Sequence, residues 1–233
     1  PDLDSLINLS EEYNLELIAD SAGGLGSIYK GKQLGEAVPK GIISFNGNKI
    51  ITSGGGGIYY SKDKNSVEMV KHLSSTARKS VNYVHDKVGF NFRISNLHAA
   101  VGLAQIERMD NIIKKKLSIK EKYAKSFKSN KVIKLIEPIK STCSSNWLNA
   151  IVVSKDLLFN LEELINILNS KNIRIRHYWR PIHMQEPYRG CPCSIQEISS
   201  NIYSRIIVLP SSTNLTNGEI EYTIQEIKRY FNF

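Results

Sequence analysis

The residues best suited to chemistry centre on a lysine at a turn. In Ser44-Phe45-Asn46-Gly47-Asn48-Lys49 the apolar run from Gly41 to Phe45 reads as a buried strand, and Asn46-Gly47-Asn48 breaks it. Four glycines, Gly54 to Gly57, follow shortly after. Such a run costs backbone entropy and offers nothing to pack, so its usual reason is close approach of something to the backbone. A lysine beside that loop, with Ser44 upstream on the strand, can present an amine to a phosphate-bearing carbonyl compound. The amine forms a Schiff base and the hydroxyl holds the phosphate. The competing reading is a solvated lysine on a flexible hairpin.

A carboxylate strengthens the first reading. Leu15-Glu16-Leu17-Ile18-Ala19-Asp20 is a strand candidate ending in an acid, followed by the small-residue turn Ser21-Ala22-Gly23-Gly24. In an open α/β sheet an acid at the carboxyl end of a strand sits where such sheets bind ligands. Pyridoxal phosphate needs an anion there, because a carboxylate on the ring nitrogen keeps it protonated and electron-accepting. A charge-assisted contact of that kind is worth about 1.5–3 kcal/mol.

The elements that must position these groups alternate in type. Helices are expected over 3–13, over a stretch capped by Ser61 or Asp63 that covers Val67, Met69, Val70 and Leu73, over one capped by Ser95 that carries Leu97 to Ile106, and over about 110–128; strands are expected over 15–19, 41–45 and 56–60. Tyr29 to Lys32 reads as a turn, and Thr76 to Asp86 as an exposed loop. Farther on, strands are expected over 132–137, 147–153, 173–176 and 206–209. Helices are expected over 161–169 (Asn160 cap), 195–204 and from Thr216, whose Glu219 completes a capping box. Alternation of this kind indicates a mainly parallel sheet in the first part.

Composition narrows the classes. With 233 residues, 41% of them hydrophobic, the chain can bury a sizeable core. No stretch approaches the ~20 apolar residues of a membrane span, and the start carries no signal-peptide pattern. Three cysteines are too few for a disulfide scaffold, and Cys191-Pro192-Cys193 lacks both metal-ligand spacing and a histidine cluster. A reduced, cytoplasmic protein fits. The net charge of +9 suits attraction to a diphosphate-bearing substrate. A nucleic-acid module is the rival reading of that charge, but the lysine run 114–116 lies among acidic residues and has no interleaved aromatics.

Asp20, Ser44-Phe45-x-x-x-Lys49, the glycine run, Gly89-Phe90-Asn91-Phe92-Arg93-Ile94, Ala99 to Gln105, Arg180 to Gln185 and Val208-Leu209-Pro210 together resemble the nucleotide-sugar aminotransferases of the DegT/StrS type. The resemblance implies an α/β fold, the type I fold of pyridoxal-phosphate-dependent transferases. Part of the large, mainly parallel-sheet domain would occupy 1–112, and a linking helix with a small α+β C-terminal domain 113–233. It implies transfer of an amino group, with glutamate the expected donor, to a nucleotide-linked keto sugar. The branch acting at C4 of UDP-4-keto-6-deoxy-N-acetyl sugars is the most similar.

The same resemblance implies the site. Lys49 binds the cofactor, Asp20 meets its ring nitrogen, and Ser44 holds its phosphate together with Asn91 from the other subunit of a homodimer. Arg93 structures its loop or meets the substrate diphosphate. Tyr178, His183 and Gln185 lie in an irregular segment rich in polar and aromatic groups, which suits either a substrate-lining loop or a purely structural one. One departure stands out: Gly23 occupies a position where the family carries Gln or Glu near the cofactor's phenolic oxygen. In the family a substantial segment also precedes the Asp20 strand, so the chain is expected to be a C-terminal portion. On its own it is expected to be poorly soluble and to bind the cofactor weakly. A catalytically impaired protein that keeps the fold and dimer surface is the alternative reading.

Overall fold

Side-chain caps set where several helices begin. In the computed structural model, which describes residues 1–194 and 197–233, helix α1 (Leu3–Glu12) opens on Asp2, whose carboxylate accepts the Ser5 N–H. The short strand β1 (Ala19–Asp20), the hairpin of β2 (Ile28–Tyr29) and β3 (Lys32–Gln33), and a single turn, α2 (Leu34–Ala37), come next. Strands β4 (Lys40–Ser44) and β5 (Gly57–Ser61) flank the lysine loop. Helix α3 (Lys64–Ser74) is capped by Asp63 and α4 (Asn96–Ile106) by Ser95, each supplying an acceptor for a first-turn N–H that has no partner within its helix.

The chain divides into two compact units, Pro1–Ile113 with Pro138–Trp147, and Lys114–Glu137 with Leu148–Phe233. The boundary falls inside helix α5 (Met109–Phe127). After β6 (Ile133–Leu135) the chain returns to the first unit, where β7 (Thr142–Cys143) pairs antiparallel with β2. A single cut after residue 112 does not contain that return.

In the first unit β4 is central to a mixed sheet, parallel to β1 and antiparallel to β5. The strand expected over 15–19 is reduced to Ala19–Asp20, and Leu15 and Ile18 are 64% and 53% exposed. A strand persists only where its N–H and C=O groups find a neighbour, and β4 reaches only those two residues. The loop expected over 76–86 is exposed from Arg78 onward, with Thr76 half-buried and Ala77 fully buried. Gly89 packs against it so tightly that a Cβ there would lie 2.4 Å from the Thr76 carbonyl carbon.

The second unit is built on the antiparallel sheet β6, β8 (Asn149–Val153), β10 (Ile206–Leu209) and β9 (Arg176–His177), in that order. Helix α6 (Leu161–Ser170) buries Leu161, Leu164, Ile165 and Leu168, α8 (Asn217–Tyr230) buries Ile220, Ile224 and Ile227, and α5 adds Ile119, Tyr123 and Phe127. These are the three- and four-residue spacings of one helical face, and each such side chain contributes about 1.5–3 kcal/mol of burial. The strand expected over 173–176 begins only at Arg176. The N–H of Ile173 goes to the Leu168 carbonyl and that of Ile175 to Asn169 Oδ1, so they close the end of α6 instead of joining a ladder. Helix α7 spans Glu197–Tyr203, and the start expected at Ile195 lies outside the described residues. Among the described residues no helix is long and apolar enough to cross a membrane, and no cluster suits a metal ion.

Candidate functional site

The side chains of β4 alternate. Ile43 and Phe45 turn into the small core that Ile50 and Ile51 complete, so Ile42 and Ser44 face the other way. In the parallel register Asp20 pairs with Ile42. Asp20 and Ser44 therefore share one face of the sheet on adjacent strands. The Asp20 carboxylate is exposed, and Oδ1 accepts the Ala22 N–H at 3.1 Å. Its remaining acceptor capacity is open to a cationic partner.

Lys49 follows in a loop closed by its own backbone. The Phe45 carbonyl accepts from Ser53 N (3.0 Å) and Thr52 Oγ1 (3.1 Å), and Phe45 N–H donates to Gly56 O at 2.9 Å. Lys49 N–H donates to Asn46 O at 3.0 Å. The half-buried Lys49 ends with Nζ 4.0 Å from the centre of the Trp147 ring. Trp147 Nε1 in turn donates to the Asn48 carbonyl at 2.6 Å. A Cβ at Gly23 would lie 2.4 Å from Trp147 Cε3, so the indole fills the place a side chain at 23 would take.

The glycine run has mostly internal causes. Gly54 and Gly56 have φ of +84°, which L side chains rarely adopt. A Cβ on Gly57 would meet the Ile43 carbonyl oxygen at 2.4 Å. Only Gly55 faces open space, with nothing within 4 Å of a built Cβ. Close approach by the neighbouring strand thus accounts for Gly57, and backbone conformation for Gly54 and Gly56.

The structure gives the other expected residues partners of their own. Asn91 bridges to Ser75 and with Arg93 lines a polar cleft of about 520 Å³ beside Lys71, His72 and Arg78. His72 Nε2 meets Asp86 at 2.6 Å, and that hydrogen bond holds the Asp86 carboxyl below its ordinary value. Asp20 lines a second, largely apolar cleft of about 520 Å³. Neither cleft is lined by Lys49 or Ser44. Tyr178, His183 and Gln185 belong to the second unit. There His183 Nε2 pairs with Ser200 Oγ at 2.9 Å, Gln185 Nε2 reaches the Arg180 carbonyl at 3.5 Å, and Tyr178 stacks edge-on against Trp179. Trp147, which touches Lys49, was expected only as the first residue of a strand. It lies 98 positions beyond Lys49, and no spacing rule links the two.

The donor set fits pyridoxal phosphate: an amine, a carboxylate with acceptor capacity to spare, and a hydroxyl on the same sheet face as that carboxylate. The sequence pattern of the DegT/DnrJ/EryC1/StrS aminotransferase family matches residues 1–228. The chain is 34% identical over 235 residues to a GDP-perosamine synthase of Vibrio cholerae, covering 99% of this chain and 63% of that one. It is 28% identical over 213 residues to the UDP-4-amino-4,6-dideoxy-N-acetyl-beta-L-altrosamine transaminase of Campylobacter jejuni, covering 90% and 57%. The fold matches that of Helicobacter pylori PseC, an aminotransferase involved in the biosynthesis of pseudoaminic acid. The TM-score is 0.93 at 22% identity, over 100% of this chain and 64% of that one. The chain thus spans about three fifths of the length of these relatives.

Proposed function

Because the chain belongs to the DegT/DnrJ/EryC1/StrS aminotransferase family, we propose that the protein moves an amino group from an amino acid, with glutamate the expected donor, to the keto carbon of a nucleotide-linked sugar. The observation that carries this reading is the parallel register pairing Asp20 with Ile42. It sets the Asp20 carboxylate and the Ser44 hydroxyl on one sheet face, with Lys49 on the loop that β4 leads into.

When bound, pyridoxal phosphate supplies an electron-withdrawing ring that makes the donor's α-proton removable. Lys49 Nζ would be the group that holds the cofactor, and the same amine would serve as the general base for the donor's α-proton. Asp20 keeps the ring nitrogen protonated through a charge-assisted hydrogen bond. Ser44 Oγ donates to the phosphate, and Asn91 of a second copy completes that contact in a homodimer with shared sites. Arg93 faces the sugar's diphosphate, and Tyr178, His183 and Gln185 line the sugar side. A C4-keto, N-acetylated UDP sugar is the narrower substrate proposal. Three exposed, unpaired cysteines accord with a reducing compartment such as the cytoplasm.

Borohydride reduction in the presence of pyridoxal phosphate should fix the cofactor on the peptide containing Lys49, and Lys49→Ala should abolish the label. Label on another lysine would overturn the assignment. One observation favours the impaired-enzyme reading, the lack of any side chain at Gly23. No label at all, on a folded full-length chain, would decide for it.

A further inference from the structure

The Trp147 indole meets three parts of the site at once, and only one of those contacts is structural in the ordinary sense. Its edge fills the volume above Gly23 that any Cβ would invade, at 2.4 Å from Cε3. Its Nε1–H ties down the Asn48 carbonyl at 2.6 Å, pinning the turn that carries Lys49. Its ring face receives the Lys49 ammonium at 4.0 Å, a distance at which the ring quadrupole attracts a cation. The missing side chain at residue 23 is the condition for all three, since a larger residue there would expel the ring.

We propose that Trp147 is the positioning residue for Lys49, and that Gly23 and Trp147 form an exchange pair in which the indole takes over the place of the side chain absent at 23. The ring face holds the amine at a defined place at the end of the loop, while the hydrogen bond to Asn48 fixes the backbone beneath it. The functional part of this inference rests on Lys49 being the cofactor-binding lysine. The contact itself does not.

The test compares Trp147→Phe with Trp147→Leu. Both lose the Asn48 hydrogen bond, and only the phenylalanine keeps a ring face. Lys49 is labelled with acetic anhydride at fixed pH and read by mass spectrometry against the exposed Lys62. Labelling of Lys49 should rise about two- to five-fold in Trp147→Leu, the range set by an exposed cation–π contact. In Trp147→Phe it should stay within about two-fold of wild type on the same grounds. Capture of added pyridoxal phosphate, followed by its visible absorbance, should slow in Trp147→Leu although the amine is more accessible, and should slow less in Trp147→Phe, which loses the Asn48 hydrogen bond but keeps the ring face. A purely structural tryptophan would make the two variants alike, and that result overturns the proposal. So does Gly23→Gln, in a folded chain, if Trp147 emission (read in a Trp179→Phe background) and Lys49 labelling both stay at wild-type values. If the labelling pattern appears but borohydride traps the cofactor on another lysine, the contact stands and the role in cofactor capture falls with the functional assignment.

Discussion

Lys116 on α5 gives the sharpest test of the second unit's energetics. It is 8% exposed, and its ammonium donates to the Ser211 carbonyl at 2.6 Å. Burial pulls its pKa down from 10.5 to about 8. A lysine moved that far costs the charged folded form roughly 3 kcal/mol. Below pH 8 both folded and unfolded chains hold the proton, and the whole cost is present. Between about 8 and 10.5 the unfolded chain keeps a proton that the folded chain releases, so this site makes the protein more stable as pH rises. Replacement by methionine removes the titration at similar length, and any penalty from the unpaired Ser211 carbonyl is the same at every pH. Denaturant unfolding of wild type and Lys116→Met from pH 7 to 10.5 should therefore show wild type gaining roughly 3 kcal/mol on the variant across that window. A difference that stays flat, or moves against wild type, refutes the reasoning.

Gly57→Ala sets a Cβ 2.4 Å from the Ile43 carbonyl oxygen, a backbone atom that cannot step aside. It should cost about 1–3 kcal/mol, read as a lowered midpoint of thermal unfolding. Glu226 has a side chain 4% exposed and pairs with Lys171 and Arg229. The hydrogen bond from Lys171, ahead of the field of Arg229, holds its carboxyl below the ordinary value. Glu226→Gln should be less stable than wild type at neutral pH, and the gap should close as acid protonates the wild-type carboxyl, measured by pH-dependent denaturation. For a shared site, a Lys49→Ala chain mixed with an Asn91→Ala chain should recover about one competent site per heterodimer. No recovery under demonstrated subunit exchange would assign each site to a single chain.

Helices were readable in the sequence because their signals are local. Asp63, Ser95, Asn160 and Thr216 cap the helices they precede, and the apolar stripe of α8 lies in consecutive turns. Strands were legible only where a long partner exists: β4 pairs along its whole length with β5, whereas the Leu15 stretch reads as a strand and has almost no neighbour. The site divides in the same way. Asp20, Ser44 and Lys49 stand out as candidates because strands, a turn and a run of glycines surround them between Leu15 and Gly57. Trp147 could not, since its meaning depends on an empty volume at Gly23. The reason for the glycines was legible only in part, because a positive φ and a crowded carbonyl are properties of the folded backbone.

The return of residues 138–147 to the first unit bears on how this protein can be divided. Covalent connection crosses between the units at three places, 113/114, 137/138 and 147/148. No single cut therefore releases either unit whole. A fragment beginning at Lys114 would carry ten residues whose partners, β2 for the Cys143 strand and Gly23 and Asn48 for Trp147, stay behind. The complementary piece would keep Lys49 and lose the ring it rests on. Swapping the second unit between relatives at the α5 boundary would import a foreign residue against Lys49, so crossover chimeras should be joined with 138–147 grafted from the donor of the first unit.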